Sequence, residues 1–277
     1  MNLDIRKFDP KGIDSNRVCV FIGKRGTGKS TLVADILYYH RKIPVGLAMS
    51  ATEESNSFYA KHIPPLYIYN DFNTKAVEKL IQNQRKKIKK YRGELKTCDP
   101  NSISSFLLLD DCMYDKSWTK DVNIRGIFMN GRHWKILFFL TMQYCMDITP
   151  DLRTNIDYVF VLRENIIKNR KKIYENFFGI FPTYDSFSEV MDQCTENFDC
   201  LVLDNTAHGN KIEDCVFWYR ARPKRKFRIG SEAVWRYSHQ HFNSHYDSDE
   251  DTEKQDILTK LKEKKKKPII HVKRTAK

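Results

Sequence analysis

One short motif, residues 23–30, constrains the fold of this 277-residue chain more than any other feature. It reads GKRGTGKS and matches the pattern G-x-x-x-x-G-K-[ST]. In this pattern the glycines let the backbone curl so that successive N–H groups point at phosphate oxygens. An apolar, β-branched run (17–22) precedes the motif, and a stretch with helical periodicity (29–39) follows it. The order of strand, glycine-rich loop and helix predicts the phosphate-binding loop, or P-loop, of a nucleotide-binding domain.

The P-loop motif assigns roles to consecutive residues. Lys29 is expected to bring a positive charge to the β- and γ-phosphates, and Ser30 to offer a hydroxyl to Mg²⁺. The helix that begins there adds the positive end of its dipole. The predicted nucleotide contacts are Gly23, Lys24, Arg25, Gly26, Thr27, Gly28, Lys29, Ser30 and Thr31.

Polar side chains follow two further apolar runs. Asp110 and Asp111 come directly after the run 106–109, and Gln143 stands just past the run 135–141. Ligands gather at the carboxyl ends of strands in open parallel sheets. Asp110 is therefore predicted to orient Mg²⁺ and Asp111 to polarise the attacking water. The Gln143 amide is predicted to lie beside the γ-phosphate, where it can hold that water.

The alternation of strands and helices predicts an α/β fold of the P-loop NTPase (RecA-like) class, with a mainly parallel sheet covered by helices on both faces. Strands are predicted at 17–22, 43–49, 66–69, 105–109, 135–141 and 158–162, and helices at 29–39, 74–92 and 121–130. We assign 1–165 to the ATPase core. Residues 166–244 are predicted to complete the domain with helices and a β-hairpin of 200–203 and 215–219. Residues 245–277 are predicted to be a charged, disordered tail.

The charge balance favours a polyanionic partner. The chain carries 48 basic and 35 acidic side chains, a formal charge of +13. Three basic runs stand out, at 85–96, 163–172 and 220–228, and the last contains no acidic residue. Such runs attract a phosphate backbone without sequence preference, although a single run is more often a solvated helix face. The DNA-binding candidates are Arg220, Arg222, Lys224, Arg225, Lys226 and Arg228.

Cysteine usage and the N-terminus predict a soluble, intracellular protein. The seven cysteines have no C-x-x-C spacing, which is typical of free thiols in a reducing compartment rather than of a disulfide scaffold. The N-terminal residues have no apolar segment of the kind found in signal peptides, and no apolar run approaches the length of a membrane span.

The segments FIGKRGTGKSTL, LLLDDC, NGRHWKILFFLTMQ and PDLRTNIDYVFVLR resemble the genome-packaging ATPases of large nucleocytoplasmic DNA viruses. These enzymes belong to the FtsK–HerA superfamily of ring-forming DNA pumps. The resemblance spans residues 15–165. It implies that Asp111 activates water, that Gln143 is the sensor, and that Arg132 acts in trans on the nucleotide of a neighbouring subunit. Arg153 is the second candidate for this trans-acting arginine.

The resemblance also implies cofactors, partners and a location. The cofactors are ATP and Mg²⁺, and the partners are double-stranded DNA and further copies of the chain in a hexameric or pentameric ring. Capsid or portal-vertex proteins are additional expected partners. The expected location is the viral factory in the host cytoplasm, with the virion as a second location.

The residues leave two other functions open. One is a P-loop kinase of a small molecule, in which the basic run 163–172 would be a closing lid. The other is a nucleotide-dependent DNA-binding scaffold that does not pump. A GTPase is disfavoured because the guanine-specific N-K-x-D is absent. Stimulation of ATP turnover by DNA would separate the translocase from both alternatives.

Overall fold

Eight strands form a single sheet in the part of the chain that the computed structural model describes, residues 3–91, 99–112, 116–144 and 148–242. The strands are β1 (Val18–Ile22), β2 (Gly46–Ser50), β3 (Ile68–Tyr69), β4 (Ser105–Asp110), β5 (Ile136–Met142), β6 (Tyr158–Val161), β7 (Asp199–Asp204) and β8 (Val216–Arg220). Their order across the sheet is β3-β2-β4-β5-β1-β6-β7-β8. Strands β1 to β6 pair in parallel, whereas β7 is antiparallel to both β6 and β8.

Helices connect the strands. They are α1 (Lys29–Tyr39), α2 (Glu53–Asn56), α3 (Thr74–Lys90), α4 (Pro100–Ile103), α5 (Val122–Asn130), α6 (Pro150–Arg153), α7 (Ile167–Phe177), α8 (Tyr184–Cys194), α9 (Ile212–Cys215) and α10 (Glu232–His241). Short 3₁₀ turns occur at Pro10–Gly12, Tyr59–Lys61, Pro65–Tyr67 and Lys116–Lys120. None of the helices in the described part of the chain combines the length and apolar character that a membrane span requires.

The core lies on both faces of the sheet. All five residues of β1 are buried, and alternate residues point to opposite faces. Val20 packs on the face covered by α3, α5, α7 and α8, whereas Phe21 packs on the face covered by α1. Burial on both faces explains why the central strands are continuous apolar runs, as expected for a parallel sheet. The predicted fold class is confirmed.

Two helix starts show how local sequence sets the boundaries. Asn73 accepts a hydrogen bond from the Ala76 backbone N–H (3.0 Å) at the start of α3. Asp121 accepts bonds from the backbone N–H groups of Asn123 and Ile124 at the start of α5. Such side-chain caps satisfy N–H groups that have no partner within the helix.

The C-terminal part extends the same sheet. Helices α7 and α8 occupy the stretch predicted to be helical, and β7 and β8 form the predicted antiparallel pair, with the short helix α9 between them. Residues 3–239 of the described chain form one compact unit. The predicted tail, 245–277, lies outside the described residues. Residues 92–96, at the end of the basic run 85–96, also lie outside them.

Candidate nucleotide site

The P-loop follows β1 and leads into α1, as the motif predicts. Gly26 and Gly28 have φ angles of +77° and +97°, a region that side chains with a Cβ rarely adopt, so both positions favour glycine. Within the loop, the Thr27 hydroxyl donates to the Lys24 carbonyl (2.7 Å). The resulting curl leaves the N-terminus of α1 facing the carboxyl edge of the sheet, where its dipole favours an anion.

Lys29 is folded back into this loop. Its Nζ donates to the carbonyl oxygens of Gly23 (2.5 Å) and Lys24 (3.1 Å). Burial lowers the pKa of Lys29, while the nearby carboxylates of Asp111 and Asp110 oppose that shift. The ammonium group is thus held at the loop by two backbone carbonyls, with the carboxylates of Asp110 and Asp111 nearby.

Asp110 lies at the carboxyl end of β4 with 3% of its surface exposed. The Thr141 hydroxyl donates to Asp110 Oδ1 (2.7 Å), and the Ser50 hydroxyl contacts Oδ2 (3.4 Å). Burial raises the pKa of Asp110, and the hydrogen bond from Thr141 opposes this shift. None of the ion pairs found among the described residues involves Asp110. A buried carboxylate that has hydroxyl partners but no direct ion pair contributes little to stability and is a suitable ligand for a metal ion.

Asp111 and Gln143 are brought into direct contact. The Gln143 amide nitrogen donates to both carboxylate oxygens of Asp111, at 2.7 and 2.9 Å. Asp111 adopts a left-handed backbone (φ +54°), which Asp tolerates better than most residues. Its N–H donates to the Thr141 hydroxyl (3.0 Å). This hydroxyl therefore connects the two neighbouring acids, since it also donates to Asp110.

Sequence reasoning missed Tyr59. Its side chain is almost completely buried, and its hydroxyl lies near Ser30 and Asp110 without a hydrogen bond of normal geometry among the described residues. Burial, followed by the charge of Asp110, raises the pKa of this hydroxyl, so it remains a donor at neutral pH. No local pattern marks Tyr59, because the segment between β2 and β3 returns to the P-loop only in the folded chain.

A second missed residue is Glu164, just past β6. Its buried carboxylate pairs with the Lys24 ammonium (2.7 Å) and accepts the Ile166 N–H (2.8 Å) and an Asn169 amide proton (3.1 Å). The ion pair therefore links the start of the P-loop to the segment that follows β6.

Arg132 does not lie with the other candidates. It precedes β5 at the amino edge of the sheet, whereas the P-loop, Asp111 and Gln143 lie at the carboxyl edge. Its guanidinium pairs with the fully buried Asp157, which also binds Arg17 (3.2 Å). The Arg132 side chain is still 55% exposed. Arg153, at the end of α6, also lies before a strand at this edge.

The basic run 220–228 is only partly free. Arg220 pairs with Asp199, with Nη2 to Oδ2 at 2.8 Å, and the Arg225 Nε donates to Asp35 Oδ1 at 2.6 Å. Arg228 stacks over the Trp235 ring at 4.6 Å. Arg220 and Arg225 therefore have acidic partners within the chain, whereas their binding to DNA stays a prediction.

Four cations of the run are exposed and line one cavity of about 1050 Å³: Arg222, Lys224, Lys226 and Arg228. The cavity lies against α1 of the P-loop, where Thr31 and Ala34 form part of its wall. Its other walls include Lys61 and Phe227. A positively charged concave surface thus adjoins the nucleotide site.

The sequence profile of the Poxvirus A32 protein family matches residues 7–175. Among relatives, a protein of Acanthamoeba polyphaga mimivirus is 36% identical over 253 residues, covering 89% of each chain. A protein of Invertebrate iridescent virus 6 is 37% identical over 251 residues, covering 88% of this chain and 94% of its own.

Solved structures show the same fold at low identity. The genome packaging NTPase of Sulfolobus turreted icosahedral virus 2, in complex with ATP-gammaS, has a TM-score of 0.52 at 15% identity, with 76% of this chain and 99% of that chain covered. The pCW3 conjugation coupling protein TcpA with ATPgS has a TM-score of 0.51 at 15% identity, with 77% and 62% covered.

Proposed function

Because the chain belongs to the Poxvirus A32 protein family, we propose that it is an ATPase that drives double-stranded DNA into a viral capsid. The family match, the similarity to viral proteins over nearly the whole chain, and the fold shared with a genome packaging NTPase support this proposal. The motif resemblance identified in the sequence points the same way.

The contact between Gln143 and Asp111 carries the hydrolytic part of the proposal. A carboxylate at the end of β4 can accept a proton from water while the oxygen of that water attacks the γ-phosphorus and the bond to the β-phosphate breaks. The amide holds this carboxylate in one orientation. The Gln143 amide can also form hydrogen bonds with a phosphate oxygen or with the water. If a bound γ-phosphate drew the amide away from Asp111, the carboxylate would be free to accept the proton, and hydrolysis would depend on the presence of that phosphate.

The residues at the P-loop suit Mg²⁺. Hard divalent cations take oxygen ligands, and the Ser30 hydroxyl and the buried Asp110 carboxylate supply them. The Tyr59 hydroxyl, which has no hydrogen-bond partner among the residues that the structure describes, lies beside them and could orient Asp110 or a water as a donor. A bound Mg²⁺ would neutralise charge on the phosphates, while Lys29 would contact their oxygens directly.

For DNA we propose the exposed cations that line the cavity of about 1050 Å³, namely Arg222, Lys224, Lys226 and Arg228. The net charge of +13 supports a polyanionic partner. Because the cavity lies beside α1, a change in the bound nucleotide could alter the affinity of these residues for DNA. Backbone contacts made by lysine and arginine carry no sequence information, which suits a protein that must move along any sequence.

For assembly we propose a ring of five or six subunits, in which Arg132 reaches the nucleotide of a neighbour. A planar, permanently charged guanidinium is suited to the charge that develops during phosphoryl transfer. Its position at the edge of the sheet away from its own P-loop supports action in trans. We further propose that the ring binds capsid or portal-vertex proteins. It would act in the viral factory, and the virion is a second location.

ATP turnover measured with and without double-stranded DNA tests the function. We expect DNA to stimulate hydrolysis by the wild type, and Lys29→Ala to abolish it. Turnover that requires a small-molecule acceptor would identify a kinase. ATP and DNA binding without stimulated turnover would identify a scaffold and contradict the motor.

The DNA contacts have their own test. Neutralising Arg222, Lys224 and Lys226 together should weaken binding equally for different sequences and reduce the salt slope by up to about 0.9 per lost phosphate contact. The matched control neutralises Lys11, Lys75 and Lys79, three exposed lysines outside the three basic runs. An unchanged salt slope in the first variant would exclude these residues as the DNA contacts.

A further inference from the structure

Phe198 is an exposed aromatic residue beside the P-loop, and neither the family motifs nor the proposed chemistry uses it. Its side chain is 69% exposed, although large apolar residues of this chain are mostly buried. It lies in the turn before β7, and both Asn197 and Phe198 have positive φ angles, of +50° and +67°. A bulky residue in this conformation is an outlier, and such backbone strain concentrates at ligand sites.

The turn that carries Phe198 is fastened at both ends. Before it, the buried Thr195 donates its hydroxyl to the Met191 carbonyl (2.7 Å). After it, Asp199 donates its N–H to the Glu196 carbonyl (2.8 Å), and its carboxylate binds Arg220. These hydrogen bonds hold the backbone on both sides of Phe198 in place, so the position of its exposed ring is restricted.

One side of the ring faces the P-loop. A Cβ built on Gly28 would lie 3.4 Å from Cδ1 of Phe198, which is ordinary van der Waals contact. A cavity of about 440 Å³ opens beside it, within the range of about 300–1,000 Å³ that is usual for small-molecule sites. Its walls are Phe198 and its neighbours on one side and Lys24, Arg25, Gly26 and Thr27 of the P-loop on the other, with Arg163 and Asn165 at the end of β6.

The strand order shows which part of a nucleotide would reach this cavity. Asp111 and Gln143 follow β4 and β5, on one side of the loop that follows β1. Phe198 precedes β7, on the other side, beyond β6. A nucleotide with its γ-phosphate at Asp111 and its β-phosphate in the P-loop would therefore extend its base towards β6 and β7.

We infer that Phe198 forms the floor of the base subsite and stacks against the purine ring of the bound nucleotide. This inference rests on the proposed nucleotide-binding function of the P-loop and extends it to the base. Stacking uses the π-face that every base has, so Phe198 adds affinity for the base, while the side-chain amides of Asn165 and Asn197 are placed to contact its edge.

Binding of Mg·ATP and of Mg·tripolyphosphate, measured by titration calorimetry on the full chain, tests this inference. Tripolyphosphate has the phosphates but no base. Phe198→Ala should weaken ATP binding about 5- to 150-fold, the range for loss of one base–aromatic stack. Its affinity for tripolyphosphate should stay within about twofold of the wild type. Phe198→Tyr keeps the ring and should restore ATP affinity.

The control is Tyr237→Ala, which removes an exposed ring from α10. Tyr237 lies near Tyr67, before β3, at the opposite end of the strand order from β7. This variant should change the affinity for neither ligand. Lys29→Ala should weaken the binding of both ligands. An unchanged affinity for both would refute the nucleotide site itself. If Lys29→Ala behaves as expected but Phe198→Ala leaves ATP affinity unchanged, or weakens both ligands equally, the base subsite is wrong and the P-loop assignment stands.

Discussion

Replacing Arg225 with alanine should lower the free energy of unfolding by about 3 kcal/mol, at the low end of the range for a broken buried ion pair. The carboxylate of Asp35 is fully buried in α1. It accepts bonds from the Arg225 Nε (2.6 Å), the Tyr219 hydroxyl (2.7 Å) and the Arg222 N–H (2.9 Å). In the variant the two remaining donors would partly satisfy the carboxylate, but its charge would have no cation beside it.

Urea denaturation followed by circular dichroism measures this effect. Lys224→Ala is the matched control, because it removes an exposed cation from the same segment and should change stability by no more than about 0.5 kcal/mol. Adding Asp35→Asn to Arg225→Ala removes the stranded charge. The double variant should therefore be less destabilised than the sum of the single variants.

A loss of less than about 1 kcal/mol in Arg225→Ala, combined with a loss of DNA affinity, would refute the reasoning. Arg225 would then point towards DNA in solution, as the sequence alone suggests. A large loss of stability that is additive with Asp35→Asn would also contradict it, since two partners of one ion pair must be coupled.

Three further predictions concern catalysis and pH. Asp111→Asn and Gln143→Ala should keep ATP affinity within a few-fold but slow hydrolysis, because their contacts strengthen mainly in the transition state; a collapse of affinity would make both binding residues. Arg132→Ala should bind ATP and assemble yet lose about 10³- to 10⁵-fold in turnover. Mixing it with Lys29→Ala should restore some activity, and co-assembled mixtures that remain inactive at every ratio would contradict a trans-acting role. Burial lowers the pKa of His40 to about 4, so its contribution to stability is present at pH 7 and is lost as the pH falls from about 6.5 towards 4. Unfolding at pH 4.5 should therefore cost about 2 kcal/mol less than at pH 7 from this group, and His40→Gln should remove that difference.

Much of the fold and the reacting centre could be predicted from the sequence. The helix after the P-loop has the predicted bounds, and the strand ends lie within about three residues of their predicted positions. Asp110, Asp111 and Gln143 were identifiable because parallel strands end at one edge, so residues after separate apolar runs must meet there. Their meeting is confirmed by the Thr141 and Gln143 contacts.

The pairing of distant charges could not be predicted. Arg225 and Asp35 are 190 residues apart, and nothing near either residue indicates the other. A basic run looks the same in sequence whether its members face solvent or neutralise buried acids. Phe198 was also hidden, because its position beside Gly28 depends on the antiparallel return of β7 to the edge of the sheet that carries the P-loop.

The placement of Arg132 at one edge of the sheet and the P-loop at the other has a consequence for symmetry. A subunit built this way gives its arginine through one surface and receives a neighbour's arginine through a different one. Two copies related by a two-fold axis would use the same patch on both, so they could not complete each other's sites through a single interface. A head-to-tail contact can repeat, and it either closes on itself or continues as a filament. If Arg132 acts in trans, the smallest fully active unit is therefore a closed cycle, and in any open assembly one terminal nucleotide site lacks its arginine.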